Sequence, residues 1–185
     1  MKACRLIVIF SLLVFAFEGC KSSHSSTGGG PQSSSTPAAI SSSAQVVKVT
    51  SGPVSISQDT PADAIVVLSI SPGFHVNANP ATFPYLIPTE VSHTVDPDES
   101  LPLMGNPIYP PAINKKFVFA EKPLAVYEGE VKVKLPLRLP DPKRTYGRIG
   151  AGPLSFPFTV RVQACDEEQC FPPATINSAI SVTVK

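Results

Sequence analysis

Prolines recur at short intervals along residues 45–185, and no stretch there places apolar residues at the three- and four-residue spacing of an amphipathic helix. A proline inside a helix removes a hydrogen bond and clashes with the preceding turn. Long helices are therefore unfavourable in this region. Strands must supply most of its hydrophobic core.

The strands are visible as patterns of period two. In EVKVKLPLRL, residues 130–139, the apolar side chains alternate with polar ones, as in a strand with one buried face. Residues 64–70 form an apolar run of strand length, and residues 179–184 alternate again. With turn-rich segments between them, these strands predict an all-β fold, an antiparallel β-sandwich of immunoglobulin type. Pro136 cannot donate to a ladder, so its strand is predicted to be an edge or to carry a bulge.

The amino-terminal residues predict export. Lys2 and Arg5 precede a run of about a dozen mostly apolar residues, 6–17, which is too short to cross a bilayer as a helix and has the size of a signal-peptide core. The chain therefore divides into a signal peptide, residues 1–20, a disordered Ser/Gly/Pro linker, residues 21–44, and one domain, residues 45–185.

The end of the signal peptide, EGCKSS, resembles the cleavage box of bacterial lipoproteins. The resemblance implies that Cys20 receives a lipid and becomes the mature amino terminus, although Phe17 and Glu18 depart from the usual pattern. Cleavage would remove Cys4 and leave three cysteines, an odd number in an oxidising compartment, and a lipid on Cys20 accounts for the extra one. We therefore expect a periplasmic or cell-envelope protein attached to the membrane by its amino terminus.

Charge and ligand content exclude several functions. A net charge of +1 offers no electrostatic basis for binding nucleic acid. Besides its two cysteines, the mature domain offers only His75 and His93 as further ligands for a structural zinc site, without paired spacing, so neither a metal site nor a cofactor is predicted.

The segment QACDEEQCFPP contains the two remaining cysteines, Cys165 and Cys170. Alternation through the preceding strand predicts that Cys165 faces outward with Arg161. If the four residues DEEQ form a hairpin loop, the cysteines lie opposite each other as a non-hydrogen-bonded pair within disulfide range.

A bond across so short a loop would remove only about 2 kcal/mol of unfolded-state entropy. This small stabilisation favours redox use, but the residues alone leave a structural disulfide equally open. Asp166, Glu167 and Glu168 should raise the pKa of a nearby thiolate, and Arg161 could offset part of that effect.

Three segments resemble the periplasmic N-terminal domain of the thiol:disulfide interchange protein DsbD. They are VQACDEEQCFPP, SPGFHVNANPATFPYLIPTEV (residues 71–91) and LAVYEGEVKVKLPL (residues 124–137). The resemblance implies an immunoglobulin-like domain that acts as a protein-disulfide reductase. Its cysteine pair would pass reducing equivalents to periplasmic thioredoxin-like proteins, of the disulfide-isomerase or cytochrome c maturation type.

By position, the family implies that Cys170 attacks the partner and Cys165 resolves the mixed disulfide. It also implies a cap loop, here NKKFVFAEKP, with Phe119 as the first choice for the shielding residue and Phe117 as the second. The chain ends at Lys185 without the family's membrane and thioredoxin-like segments, so a separate membrane electron donor is expected. The loop between the cysteines is also one residue shorter than in the best-known members. The alternative is a non-enzymatic envelope scaffold with a structural disulfide.

Overall fold

The computed structural model describes residues 40–93, 102–141 and 149–185. The proposed signal peptide, the lipidation site at Cys20 and most of the proposed linker lie outside these residues. No helix within the described ranges is long and apolar enough to span a membrane.

The regular secondary structure of the described residues consists of β-strands and one short 3-10 helix, Ser43–Gln45. The strands are β1 Val47–Ser51, β2 Val54–Ile56, β3 Ala62–Ile70, β4 His75–Asn77, β5 Glu90–Ser92, β6 Leu103–Met104, β7 Ile113–Lys115, β8 Leu124–Tyr127, β9 Glu130–Arg138, β10 Gly152–Val162, β11 Ala164–Cys165 and β12 Ala174–Val184.

These strands form three four-stranded sheets. Their orders are β1-β3-β9-β6, β2-β12-β10-β5 and β11-β4-β8-β7, and every pairing is antiparallel except that of β2 with β12. The first two sheets contribute side chains to one continuous core, including Leu68 of β3, Leu135 of β9 and Phe156 of β10. The predicted immunoglobulin-like β-sandwich is confirmed.

The alternation of β9 decides which of its faces enters this core. Val131, Val133, Leu135 and Leu137 are buried, and the residues between them are mostly exposed. Fully burying such a side chain stabilises the fold by roughly 1.5–3 kcal/mol. One face of β9 therefore contributes several times the stabilisation of any single hydrogen bond.

Of the two alternatives predicted from Pro136, the edge strand is wrong because β9 lies between β3 and β6, and β9 pairs with β3 in an unbroken register without a bulge. The carbonyl of Pro136 accepts a hydrogen bond of 2.8 Å from the amide of Gly105, which follows β6. Since the amide and carbonyl of one strand residue point to the same side, the missing N–H of Pro136 also faces β6. Because β6 is only two residues long, β9 tolerates the absence of an N–H donor at Pro136.

The folded domain includes residues before 45. Ser43, assigned to the linker from the sequence, is fully buried. Its hydroxyl donates to the carbonyl of Pro172 at 2.8 Å and accepts from the amide of Ala164 at 2.9 Å. Ser43 therefore ties together the residues that flank the two cysteines.

Candidate functional site

A disulfide joins Cys165 to Cys170, with an S–S distance of 2.02 Å and a Cα–Cα distance of 3.9 Å. The amide of Phe171 donates to the carbonyl of Ala164, and the amide of Asp166 donates to that of Gln169, both at 2.9 Å. These bonds flank the cysteines on either side, so Cys165 and Cys170 form a non-hydrogen-bonded antiparallel pair. The predicted hairpin geometry is confirmed.

The side chain of Asp166 organises the loop between the cysteines. Its Oδ1 atom accepts hydrogen bonds of 2.8 Å from the amides of Glu168 and Gln169. Short acidic side chains make this type of local turn readily. The two bonds stabilise the carboxylate and lower the pKa of Asp166. The loop is therefore held by an ionised group.

The two cysteines differ sharply in exposure. Cys165 is 1% exposed, whereas Cys170 lies on the surface. The prediction that Cys165 faces outward is wrong because β10 ends at Val162 and the chain then enters β11, which belongs to a different sheet. Ala164 still enters the main core, as the alternation predicts, but the opposite face of β11 is also covered, because Cys165 lies across the ladder from His75, which stacks on Phe117. Only Cys170 is readily accessible to another protein.

His75 of β4 lies directly opposite Cys165 of β11 in the antiparallel ladder. It is also 1% exposed, and its Nε2 atom has no hydrogen-bond partner among the described residues. Burial lowers the pKa of His75, and the positive charge of Lys115 lowers it further. A neutral imidazole therefore lies beside the buried cysteine. Sequence reasoning treated His75 as an ordinary packed or surface histidine.

The rings of His75, Phe117 and Phe119 form a stack. Phe117 is 4.2 Å from His75 and 5.3 Å from Phe119, measured between ring centroids. Phe117 is 2% exposed and packs in a small core with Leu124 and Val126, whereas Phe119 is 48% exposed. The stack therefore extends from the cross-strand neighbour of Cys165 to the protein surface. The cap role of Phe119 or Phe117 stays a prediction.

Lys115 is a cation that reaches the loop between the cysteines. Its Nζ atom lies 2.7 Å from a carboxylate oxygen of Glu128 and 2.8 Å from one of Glu167. Hydrogen bonds raise the pKa of Lys115, and the bond to Glu128 has a larger effect than the bond to Glu167. Arg161, suggested from the sequence for this role, lies on β10 opposite Glu90. No local sequence pattern identifies Lys115, because its partners come from distant segments.

Two aromatic residues complete the surroundings of the disulfide, and His93 is not among them. Phe171, which follows Cys170, is buried with its ring centroid 5.8 Å from that of Phe74. His93 lies apart from the cysteines, against Phe156. Within the described ranges, no group of three or more His, Cys, Asp or Glu side chains is arranged to hold a metal ion.

Together these features define an immunoglobulin-like β-sandwich with a disulfide hairpin at the β11 edge of the β11-β4-β8-β7 sheet. No protein-family model matches the chain, and no curated protein matches it with significant similarity. Several solved structures do match.

One solved structure is the N-terminal domain of Neisseria meningitidis DsbD in the reduced form. It is 21% identical with a TM-score of 0.39, and the match covers 65% of this chain and 77% of that one. Another is the CssB subunit of enterotoxigenic Escherichia coli colonization factor CS6, complemented with a donor strand from CssA. It is 17% identical with a TM-score of 0.40, and the match covers 77% of this chain and 99% of that one. Likenesses of this size carry no argument about function.

Proposed function

We propose that this protein is a thiol:disulfide exchange module of the DsbD N-terminal type. The Cys165–Cys170 pair relays reducing equivalents to thioredoxin-like partner proteins. The observation that carries the proposal is the unequal exposure of one disulfide, with Cys170 on the surface and Cys165 buried. Exchange needs one sulfur that a partner can reach and a second that resolves the intermediate.

The reaction begins with the reduced pair. The Cys170 thiolate attacks one sulfur of a partner disulfide, so that a bond forms between Cys170 and the partner, and the partner's other sulfur leaves as a thiolate and takes up a proton. The Cys165 sulfur then attacks Cys170, which restores the disulfide and releases the partner's remaining sulfur. Two electrons pass to the partner, which becomes a dithiol.

The aromatic stack supports a second part of the proposal. Phe119, with Phe117 beneath it, acts as the cap that limits access to the pair until a partner displaces it. An exposed, reducible disulfide in an oxidising compartment would otherwise exchange with unrelated thiols. The ion pair between Lys115 and Glu167 links the segment that carries both phenylalanines to the loop between the cysteines.

The remaining parts of the proposal concern the cell. The protein is exported to the periplasm and anchored through a lipid on Cys20. A separate membrane protein supplies electrons to the pair. The partners are thioredoxin-like proteins of the disulfide-isomerase or cytochrome c maturation type.

A trapping experiment tests the exchange function. The Cys165→Ala variant leaves Cys170 able to attack but removes the resolving sulfur, so periplasmic extract should yield a covalent adduct that dithiothreitol releases and that contains a thioredoxin-like protein. The Cys170→Ala variant is the matched control and should trap far less because its remaining thiol is buried. Absence of any adduct on Cys170 would overturn the proposed exchange function.

The burial of Cys165 also fits the rival interpretation, a scaffold domain with a structural disulfide. The two interpretations differ in reduction potential. A structural bond has a potential below roughly −300 mV and exchanges slowly, whereas an exchange pair equilibrates with thiols at a higher potential. Equilibration of the purified domain with dithiothreitol therefore distinguishes them.

A further inference from the structure

We infer that His75 is the proton acceptor that activates Cys165 for the resolving step of exchange. This inference rests on the proposed exchange function. Three observations point to it: His75 lies directly across the ladder from Cys165, both side chains are 1% exposed, and the Nε2 atom of His75 has no partner among the described residues.

An unpaired polar atom in a protein interior is unfavourable and uncommon, so it calls for a physical reason. In the oxidised protein the Cys165 sulfur is bonded to Cys170 and carries no hydrogen. Reduction gives Cys165 an S–H group, which is a weak hydrogen-bond donor. Side chains directly opposite in an antiparallel pair have Cβ atoms about 5 Å apart, within reach of each other. The reduced state therefore supplies the donor that Nε2 lacks in the oxidised state.

Removal of a thiol proton by a base matters more for the resolving step than for the attacking step. Cys170 ionises in contact with water, whereas burial disfavours the thiolate of Cys165. As the Cys165 sulfur attacks Cys170 in the mixed disulfide, His75 takes its proton. The bond between Cys170 and the partner breaks, the partner's sulfur leaves with the electron pair, and the proton passes from the imidazolium to that sulfur or to water.

Burial is the main reason that His75 stays neutral and so available as a base. Burial and Lys115 on β7 lower its pKa, while Glu128 after β8 and Glu167 and Asp166 in the loop after β11 raise it by smaller amounts. Because the net shift is downward from 6.5, the imidazole is neutral at pH 7. The resolving rate should fall only when the pH drops below this lowered pKa.

The two steps can be timed separately with the aromatic disulfide dithiobis(nitrobenzoate) as the probe. The reduced protein releases one thionitrobenzoate when Cys170 attacks and a second when Cys165 resolves the mixed disulfide. In His75→Phe, which retains a ring to stack on Phe117, we expect the first phase unchanged and the second slowed roughly a hundredfold, the low end of general-base contributions. His93→Phe is the matched control and should leave both phases unchanged.

His75→Gln provides a second test. Glutamine can accept a hydrogen bond but does not titrate near neutral pH, so its second phase should be slow and should lose the acid-side fall of the wild type. If His75→Phe does not fold, His75→Gln decides the question. A second phase that keeps the wild-type rate and pH profile in the folded His75 variants overturns the role of His75 and leaves the exchange function intact. Loss of the Cys170 adduct in the trapping experiment would instead overturn the exchange function.

Discussion

Lys115 and Glu167 form an ion pair of 2.8 Å that connects the end of β7 to the loop between the two cysteines. Lys115 also lies 5.4 Å from the ring centroid of Phe117, two residues further along the chain. The ion pair therefore joins the aromatic segment to the disulfide hairpin. It contributes little to global stability, because partly exposed pairs typically contribute about 0.2–1 kcal/mol.

Substituting Lys115 by methionine should loosen the aromatic segment without unfolding the domain. We expect the Lys115→Met variant to be reduced by dithiothreitol about two- to threefold faster than the wild type, since an ion pair of roughly 0.5 kcal/mol is lost. High salt should accelerate the wild type and change the variant little. Lys132→Met, which removes the remote pair with Glu130, is the control. Equal reduction rates in all three proteins would show that the ion pair does not restrict access.

Phe117 and Phe119 should respond very differently to truncation. Phe117→Ala removes a buried ring and should lower the free energy of unfolding by about 3–5 kcal/mol. Phe119→Ala removes a half-exposed ring and should lower it by less than about 1 kcal/mol, while exchange with dithiothreitol becomes faster. Val118→Ala, at the exposed residue between them, is the control for both measurements. A Phe119→Ala protein with wild-type exchange would refute the capping role.

Ser43 should contribute more to the stability of the domain than a residue at the start of a domain usually does. Its hydroxyl is buried and is the acceptor for the Ala164 amide, so Ser43→Ala leaves a buried donor unpaired and should destabilise the domain by about 1–3 kcal/mol in urea unfolding. Ser51→Ala removes an exposed hydroxyl that donates to the Ala179 carbonyl and should have a smaller effect. If the two substitutions destabilise the domain equally, the hydrogen bond from the Ala164 amide to Ser43 does not have the proposed importance.

The pH dependence of stability should include a contribution from Asp166. Hydrogen bonds from two loop amides lower its pKa in the folded state below the ordinary value of 3.8. The resulting stabilisation is present above pH 3.8 and is lost as the pH falls through the lowered folded-state pKa. Asp166→Asn should therefore lose less stability than the wild type between pH 5 and pH 2, measured by urea unfolding. Glu168→Gln, in the same loop, controls for the loss of one negative charge. If Asp166→Asn loses as much stability as the wild type between pH 5 and pH 2, Asp166 makes no such contribution.

Strand β9 and the disulfide hairpin could be predicted from local sequence patterns. The alternation of residues 130–139 identified β9, because the side-chain period of a strand is set by its own backbone. The spacing of Cys165 and Cys170 allowed the hairpin to be predicted, since a four-residue loop can bring such residues opposite each other. Both features depend on residues close together in the chain.

Only the tertiary structure decided the burial of Cys165, its pairing with His75 and the ion pair between Lys115 and Glu167. Each depends on which strands become neighbours and in what register, and that choice is made by packing between residues far apart in the chain. The alternation of β10 could not predict the environment of Cys165, because the chain changes sheets after Val162. The pairing of the two cysteines was predictable from their spacing in the sequence, whereas their surroundings were created by the fold.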